Sequence, residues 1–481
     1  LKGTEMMKQG PRLNFFRPPT ENDIRDRNGL RAWNSAGLDK LEQIAGKPEI
    51  RNQKDGTVLA IFPLTFKSNS TEFSGVVQYQ FFGDGTFIIS SEVNIPATVS
   101  AVAKVGLQAK MIRSFDQLNW YGLGGVSTYP DRKSGGKFDF YTSTAIDLYN
   151  HNLVIPQDNC NQSDVRWASV SNIEGTGLMM SSTKPMNFSA YPYDDADITK
   201  ARHLNELDEA DFVTVNYDDL VTGLGTATCG PGILPQYVAH SGIYRFGVTF
   251  RPVEFQQKNI FEYASEKHLA SELLIAQAPV LHRNDDGKIS ILGDKNATVY
   301  YTINDGKPIK YYKPFDLKKG GKVSAFAEVA GKSKSTVVSE IFEISKEKWT
   351  AKADCSYPGE GPKSAIDNRA ETIWHSDWED DNCVQPHFVE VDMKEVLEVK
   401  GFYYLPRQDG SNGRIASYNF EVSADGKKWE SIVEKGRFWN YEGRQEKIFD
   451  KPVKMRYFKI TTLREVNNSA FSSIAEIGVV L

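Results

Sequence analysis

Two short stretches near the C-terminal end carry residue types suited to holding a polar ligand. Residues 374–378 read WHSDW, and residues 403–415 read YYLPRQDGSNGRI. His375 and Trp378 share the first, and Arg407 and Asn412 lie five residues apart in the second. An indole offers a flat apolar face, while imidazole, guanidinium and carboxamide groups offer directional donors and acceptors. A pyranose has the complementary surface, one face rich in C–H bonds and a rim of hydroxyls, so the set reads as a shallow sugar pocket that grips without cleaving. Trp374, spaced from Ile366 and Ile373 like a strand end, is expected in the core. The acidic runs Asp194–Asp195 and Glu379–Asp380–Asp381 read as solvated loop charge, since they lack the apolar surroundings that raise a carboxyl pKa.

Short strands must position these loops. Most of the chain alternates apolar and polar residues in brief runs broken by Gly, Asn, Asp and Pro, as in FGDGTFIISSEVNI (82–95) and VSAFAEVAG (323–331). A period of two at this spacing predicts antiparallel strands in sandwiches or barrels. Helical signals are few: ITKARHLNEL (198–207), with Thr199 near its cap, and ASEKHLASELLIAQ (264–277). The expected fold class is all-β with three consecutive β-sandwiches: residues 1–255, a partly helical linker over 256–277, a compact unit over 278–345, and a last domain over 346–481. A parallel barrel is excluded because its strands would alternate with long amphipathic helices.

Composition narrows the function. The 481 residues include 12% aromatic and 25% charged side chains and carry a net charge of −5, with no basic stripe for a phosphate backbone, so nucleic acid is not expected as a partner. No apolar run is long enough for a membrane span. The segment LKGTEMMKQGPRLNFF has no signal-peptide pattern and begins with Leu1, which suggests a piece of a longer periplasmic or extracellular protein with its targeting signal upstream. The four cysteines, Cys160, Cys229, Cys355 and Cys383, lack CxxC spacing and no histidine cluster accompanies them, so no zinc site is expected. Cys355 and Cys383 are left as either a disulfide or two buried thiols.

The ordered motifs SAIDNRAETIWHSDW, PHFVEVDM, FYYLPRQDGSNGRIASYNFEVSADGKKWE and MRYFKITTLREVNNSAFSSIAEIGVVL resemble a discoidin-like (coagulation factor 5/8 type C) carbohydrate-binding module. The resemblance implies a jelly roll in which His375, Trp378, Arg407, Asn412 and Phe471 hold a galacto-configured sugar. It also implies a structural calcium ion, which prefers hard oxygen ligands, at Asp367, Thr372 and Glu476, although Arg369 stands where many relatives have aspartate.

Further motifs lie upstream: LNFFRPPTENDIRD (13–26), LRAWNSAGLDKL (30–41), WYGLGGVSTYPDRKSGGKFDFY (120–141), VIPQDNCNQSDVRW (154–167), FSAYPY with ARHLNEL (188–207), GLGTATCGPGILPQY (223–237) and YRFGVTFRP (244–252). In this order they resemble the C-terminal β-sandwich, or small chain, of family 2 β-galactosidases. The family's retaining mechanism uses two carboxylates about 5 Å apart. The resemblance implies that both, with the Mg2+ ligands, belong to a barrel absent from these residues, so no catalytic residue is expected here. The sandwich would support that barrel and lend loops to the substrate rim. Arg17, Asn22 and Asp23 would contribute to this rim or brace the docking surface, and Cys229 stands where some relatives have a stacking tryptophan. Two other family patterns change, to Ser127–Thr128 and to Asp158–Asn159–Cys160–Asn161–Gln162, which leaves the aglycone preference open. Tyr129-Pro130-Asp131-Arg132 reads as a loop braced by an Asp–Arg ion pair.

Residues 278–345, with YYTINDG as strand and turn, resemble the fibronectin-like sandwich at the C-terminus of chitobiases and hexosaminidases, which implies a spacer without a ligand. The whole is expected to be the non-catalytic C-terminal part of a β-galactosidase-like exo-glycosidase whose partners are a galactose-containing glycan and its own upstream barrel. The alternative is an adhesion protein whose discoidin-like domain recognises protein or lipid.

Overall fold

The structure is a computed structural model and describes residues 3–266, 273–283 and 287–481. Strands hold 48% of it and helices 9%, which bears out the all-β expectation of β-sandwich domains. No helix among the described residues is long and apolar enough to cross a membrane.

The chain divides into two compact units. One takes in Leu1–Leu281, Ile291–Tyr311 and Ser324–Glu340; the other takes in His282–Ser290, Tyr312–Val323 and Ile341–Leu481. Residues 278–345 are shared between the two units. Their strands run in a three-stranded and a four-stranded sheet. Within the first unit, residues 331–337 are tied down by side chains: Arg51 donates to the Gly331 carbonyl, Ser333 to Glu49 and Thr336 to Glu92.

A 13-stranded antiparallel sheet dominates the first unit. The strand Thr176–Tyr191 organises it by changing neighbours along its length. Residues 176–181 pair with Thr249–Glu254 of one strand, and 187–191 with Thr214–Asp218 of another. Strict alternation, as in Gln117–Gly124 with every second residue buried, supplies the core. Phe15, Phe66 and Phe73 meet there with ring centroids 5.0–5.3 Å apart.

Both helix expectations need correction. The first helix spans Asp195–Lys200 and starts at Asp194, whose side chain accepts from the Ala196 amide, rather than at Thr199. The second signal partly lies outside the described residues, at 267–272; the nearby helix spans Ile260–Ser265 and is capped by Asn259.

In the second unit a six-stranded antiparallel sheet is built on two long strands, His387–Leu405 and Gln445–Glu465. Aromatic rings fill its interior: Phe402 stacks on Phe420 at 3.8 Å and Tyr418 on Phe438 at 4.2 Å. A separate two-stranded pair joins Trp374–His375 to Ser473–Ile474, and this small pair positions the candidate site.

Candidate carbohydrate-binding site

Successive strand residues face opposite ways. Trp374 is fully buried, as expected, and its indole N–H donates to Cys355 O and Ser356 Oγ, each at 3.1 Å. His375 is also largely buried, and its ring lies 5.4 Å from that of Phe471. Its Nδ1 is 2.7 Å from the Ser376 carbonyl. A carbonyl can only accept, so Nδ1 carries the proton, and Nε2 is the ring atom left for a ligand hydroxyl.

Trp378 is 53% exposed and stacks on Tyr357, with centroids 4.8 Å apart and planes 19° from parallel. Tyr357 is a site residue that sequence reasoning missed; its only local signal is an aromatic beside the Pro-Gly turn of SYPGEG. The main chain joins this platform to the imidazole, because the Tyr357 amide donates to the His375 carbonyl.

Arg407 binds Asp409 through two parallel bonds of 2.8 Å from Nε and Nη2. This fork raises the Arg407 pKa, and the guanidinium holds the Asp409 carboxyl below its usual range. Nη1 stays outside the fork. Asn412 is exposed and contributes only its carbonyl internally, accepting from Ser473 Oγ at 3.0 Å. His375, Phe471, Trp378 and the Arg407–Asp409 pair are thus brought to one end of the module by contacts or main-chain links, with Asn412 on the adjoining loop.

Cys355 and Cys383 form a disulfide, which decides between the two alternatives left open. Contrary to expectation, a histidine does join them: Asp354, Cys355, Cys383 and His387 present ligand-type atoms within 4.8 Å of one another. Since both sulfurs bond each other, the group lacks the thiolates a zinc site needs. The buried His387 instead spans Asp354 Oδ2 at 2.8 Å and the Ala470 carbonyl at 2.7 Å, beside Phe471. The disulfide anchors the loop that carries Trp378. Its half-cystines are 28 residues apart, and closing a loop of that length stabilises by about 3–4 kcal/mol. Thermal melts with and without reductant are expected to show the module's transition several degrees lower once reduced.

Burial pushes the Asp354 pKa up, but hydrogen bonds from His387 and the Phe388 amide outweigh it and the net shift is downward. Asp409 is lowered as well. A depressed carboxyl contributes stability above its unfolded pKa, near 4, that is lost as pH falls through the folded value. The melting temperature of the module is therefore expected to decline on acidification below about pH 4, and Asp354→Asn to flatten that decline.

At the expected calcium loop, the Thr372 hydroxyl lies 3.0 and 2.8 Å from the two Asp367 oxygens and 3.1 Å from the Arg369 carbonyl. These hard oxygens fit a calcium ion. The Glu476 carboxylate, the third expected ligand, accepts from the Lys346 ammonium and the Asn368 amide. Burial raises Glu476 to about 7 and lowers Lys346.

In the first unit the expected rim residues separate. Arg17 and Asp23 are buried and cannot reach a ligand. Arg17 donates to Asp158 at 2.9 Å and Asp23 at 3.0 Å, while Asp23 closes a capping box with Thr20. They brace. Asn22 and Cys229 do meet the surface, Cys229 as an exposed free thiol. The Asp131–Arg132 brace is corrected too: Asp131 accepts from the amides of Leu224 at 3.0 Å and Gly225 at 2.8 Å. A Cβ on Gly223 would fall 2.6 Å from that carboxyl, and Gly225 adopts a left-handed φ of 59°. Asp195 is likewise not solvated charge. Burial raises its pKa, and it accepts from Tyr191 and Gln108 at 2.6 and 2.9 Å.

The architecture and these loops define an all-β chain of β-sandwich domains. The family model described as "Beta galactosidase small chain" matches residues 1–250, and the chain belongs to that family. Models for an Fn3-associated segment and an F5/8 type C domain match residues 288–342 and 348–477. A β-galactosidase of Priestia megaterium is 28% identical over 46% of this chain, which spans only 21% of that relative. A galactose oxidase of Gibberella zeae is 33% identical over 28% of the chain and 20% of its own length. Among solved structures, a Clostridium perfringens module in complex with GalNAc-β-1,3-galactose is 28% identical, covering 28% of this chain and 97% of its own, with a TM-score of 0.26.

Proposed function

We propose that this chain is the non-catalytic C-terminal part of a secreted or periplasmic β-galactosidase-like exo-glycosidase, and that its last domain binds galacto-configured glycans. The observation that carries the reading is the exposed Trp378 ring, backed by Tyr357, at the same end of the module as His375 and Arg407. The apolar face of galactose stacks on Trp378. His375 Nε2 accepts from a ring hydroxyl, and Arg407 Nη1 and the Asn412 amide donate at the edge. Phe471 closes the side of the pocket against the imidazole.

A calcium ion at Asp367 and Thr372 would fix the loop before the WHSDW segment and supply no chemistry. Mg2+ and both catalytic carboxylates belong to the upstream barrel, so the chain alone binds sugar and hydrolyses nothing. Tethering a weak sugar site to an exo-acting enzyme raises local substrate concentration most for polymers or glycoconjugates. Calorimetric titration of the chain with galactose, N-acetylgalactosamine and glucose tests this. Binding of the first two but not glucose is expected, and equal, undetectable heats for all three would remove the assignment.

A further inference from the structure

Of the eight tryptophans, only Trp378 and Trp439 are exposed, at 53% and 83%. An isolated indole on a surface needs no explanation. Trp439 is not isolated: its loop, residues 438–444, joins the strands Glu430–Arg437 and Gln445–Glu465 and is laced to the loop that carries Arg407. Gln408 Nε2 donates to the Glu442 carbonyl at 2.8 Å. Arg414 reaches both sides, with Nη1 3.3 Å from Asn440 Oδ1 and Nη2 3.3 Å from the Arg407 carbonyl. Arg414 is 9% exposed, and its buried Nε has no hydrogen-bond partner. The Gln445 side chain pins Trp439 itself, accepting from its amide at 2.8 Å and donating to its carbonyl at 2.9 Å. A large apolar ring is thus held toward solvent on a fixed loop beside the sugar-binding loop.

We propose that Trp439 is a second saccharide subsite, so that the module reads at least two sugar units, the galactose at Trp378 and a neighbouring residue of the same glycan stacked on Trp439. The inference rests on the sugar-binding reading of the first site. The occupant is a neutral galactose-ended disaccharide or longer glycan: C–H faces suit the indole, and the exposed Asn440 amide suits hydroxyls at its edge.

The test uses the full chain, titrated with galactose, lactose, β-1,3-galactobiose and β-1,4-galactobiose, and the Trp439→Ala variant treated identically. The unmodified chain is expected to bind at least one disaccharide about tenfold more tightly than galactose, since one sugar–aromatic stack contributes about 1.4 kcal/mol. Trp439→Ala should return that disaccharide to the galactose value, leaving galactose affinity and melting temperature unchanged. Equal disaccharide affinity in both proteins would overturn the subsite, as would a parallel loss for galactose and disaccharide. A chain that binds no sugar would overturn both the subsite and the reading beneath it, whereas unaltered galactose binding with no disaccharide gain removes the subsite alone.

Discussion

Replacing Arg17 with alanine is expected to cost the first compact unit about 3–5 kcal/mol, the penalty for leaving buried charge uncompensated. The Arg17 guanidinium is 1% exposed and sits between two buried carboxylates, Asp23 and Asp158. It also lies 5.5 Å from the ring centres of both Trp33 and Tyr129. The carboxylates have other donors: Thr20 reaches Asp23 at 2.7 and 2.8 Å, and the Tyr129 hydroxyl reaches Asp158 at 2.7 Å. Neutral donors satisfy lone pairs but cannot offset two negative charges in one enclosure. A loss of that size is a large share of the 5–15 kcal/mol typical of a domain. Urea unfolding of Arg17→Ala should show the first unit's transition lost or displaced to much lower denaturant, with Arg17→Lys intermediate because it keeps the charge but not the fork. An unmoved midpoint would mean that the network contributes nothing.

Trp378→Ala should weaken galactose binding by about tenfold to a hundredfold, corresponding to about 1.5–3 kcal/mol of lost stacking and apolar burial. The melting temperature should hardly change, because half of the indole faces solvent and its inner neighbour, Tyr357, remains. Titration beside a thermal melt separates the two effects. Undiminished affinity would place the sugar elsewhere, while a collapsed melt would make Trp378 a structural residue.

How much of this was legible in the sequence follows from the range of each interaction. Strand alternation and the loop motifs are local, so the all-β architecture and the segments bearing His375, Trp378 and Arg407 could be read directly. Partners distant in sequence could not. Tyr357 reaches Trp378 across 21 positions, and Asp131 meets Leu224 and Gly225 more than ninety residues away, where pairing with the adjacent Arg132 looked simpler. Asp195 reads as surface charge in isolation, since Gln108, which donates to it, lies 87 residues away on a strand. His387 went unassigned for the same reason: only folding brings Asp354 and Ala470 to its two nitrogens. The ion pair between Lys346 and Glu476 joins the two ends of the last domain, so neither residue announces the other in the sequence.

The Cys229 segment is held from several sides by the body of the sandwich. Asp131 grips its start, Asn22 accepts from Thr228 and donates to the Gly225 carbonyl, and Asp26 takes the Ile233 amide at 2.6 Å. A surface arriving there meets a template whose main chain is already set. No further ordering of this loop need be subtracted from the free energy of association, so complementarity of shape, rather than induced adjustment, would decide what fits.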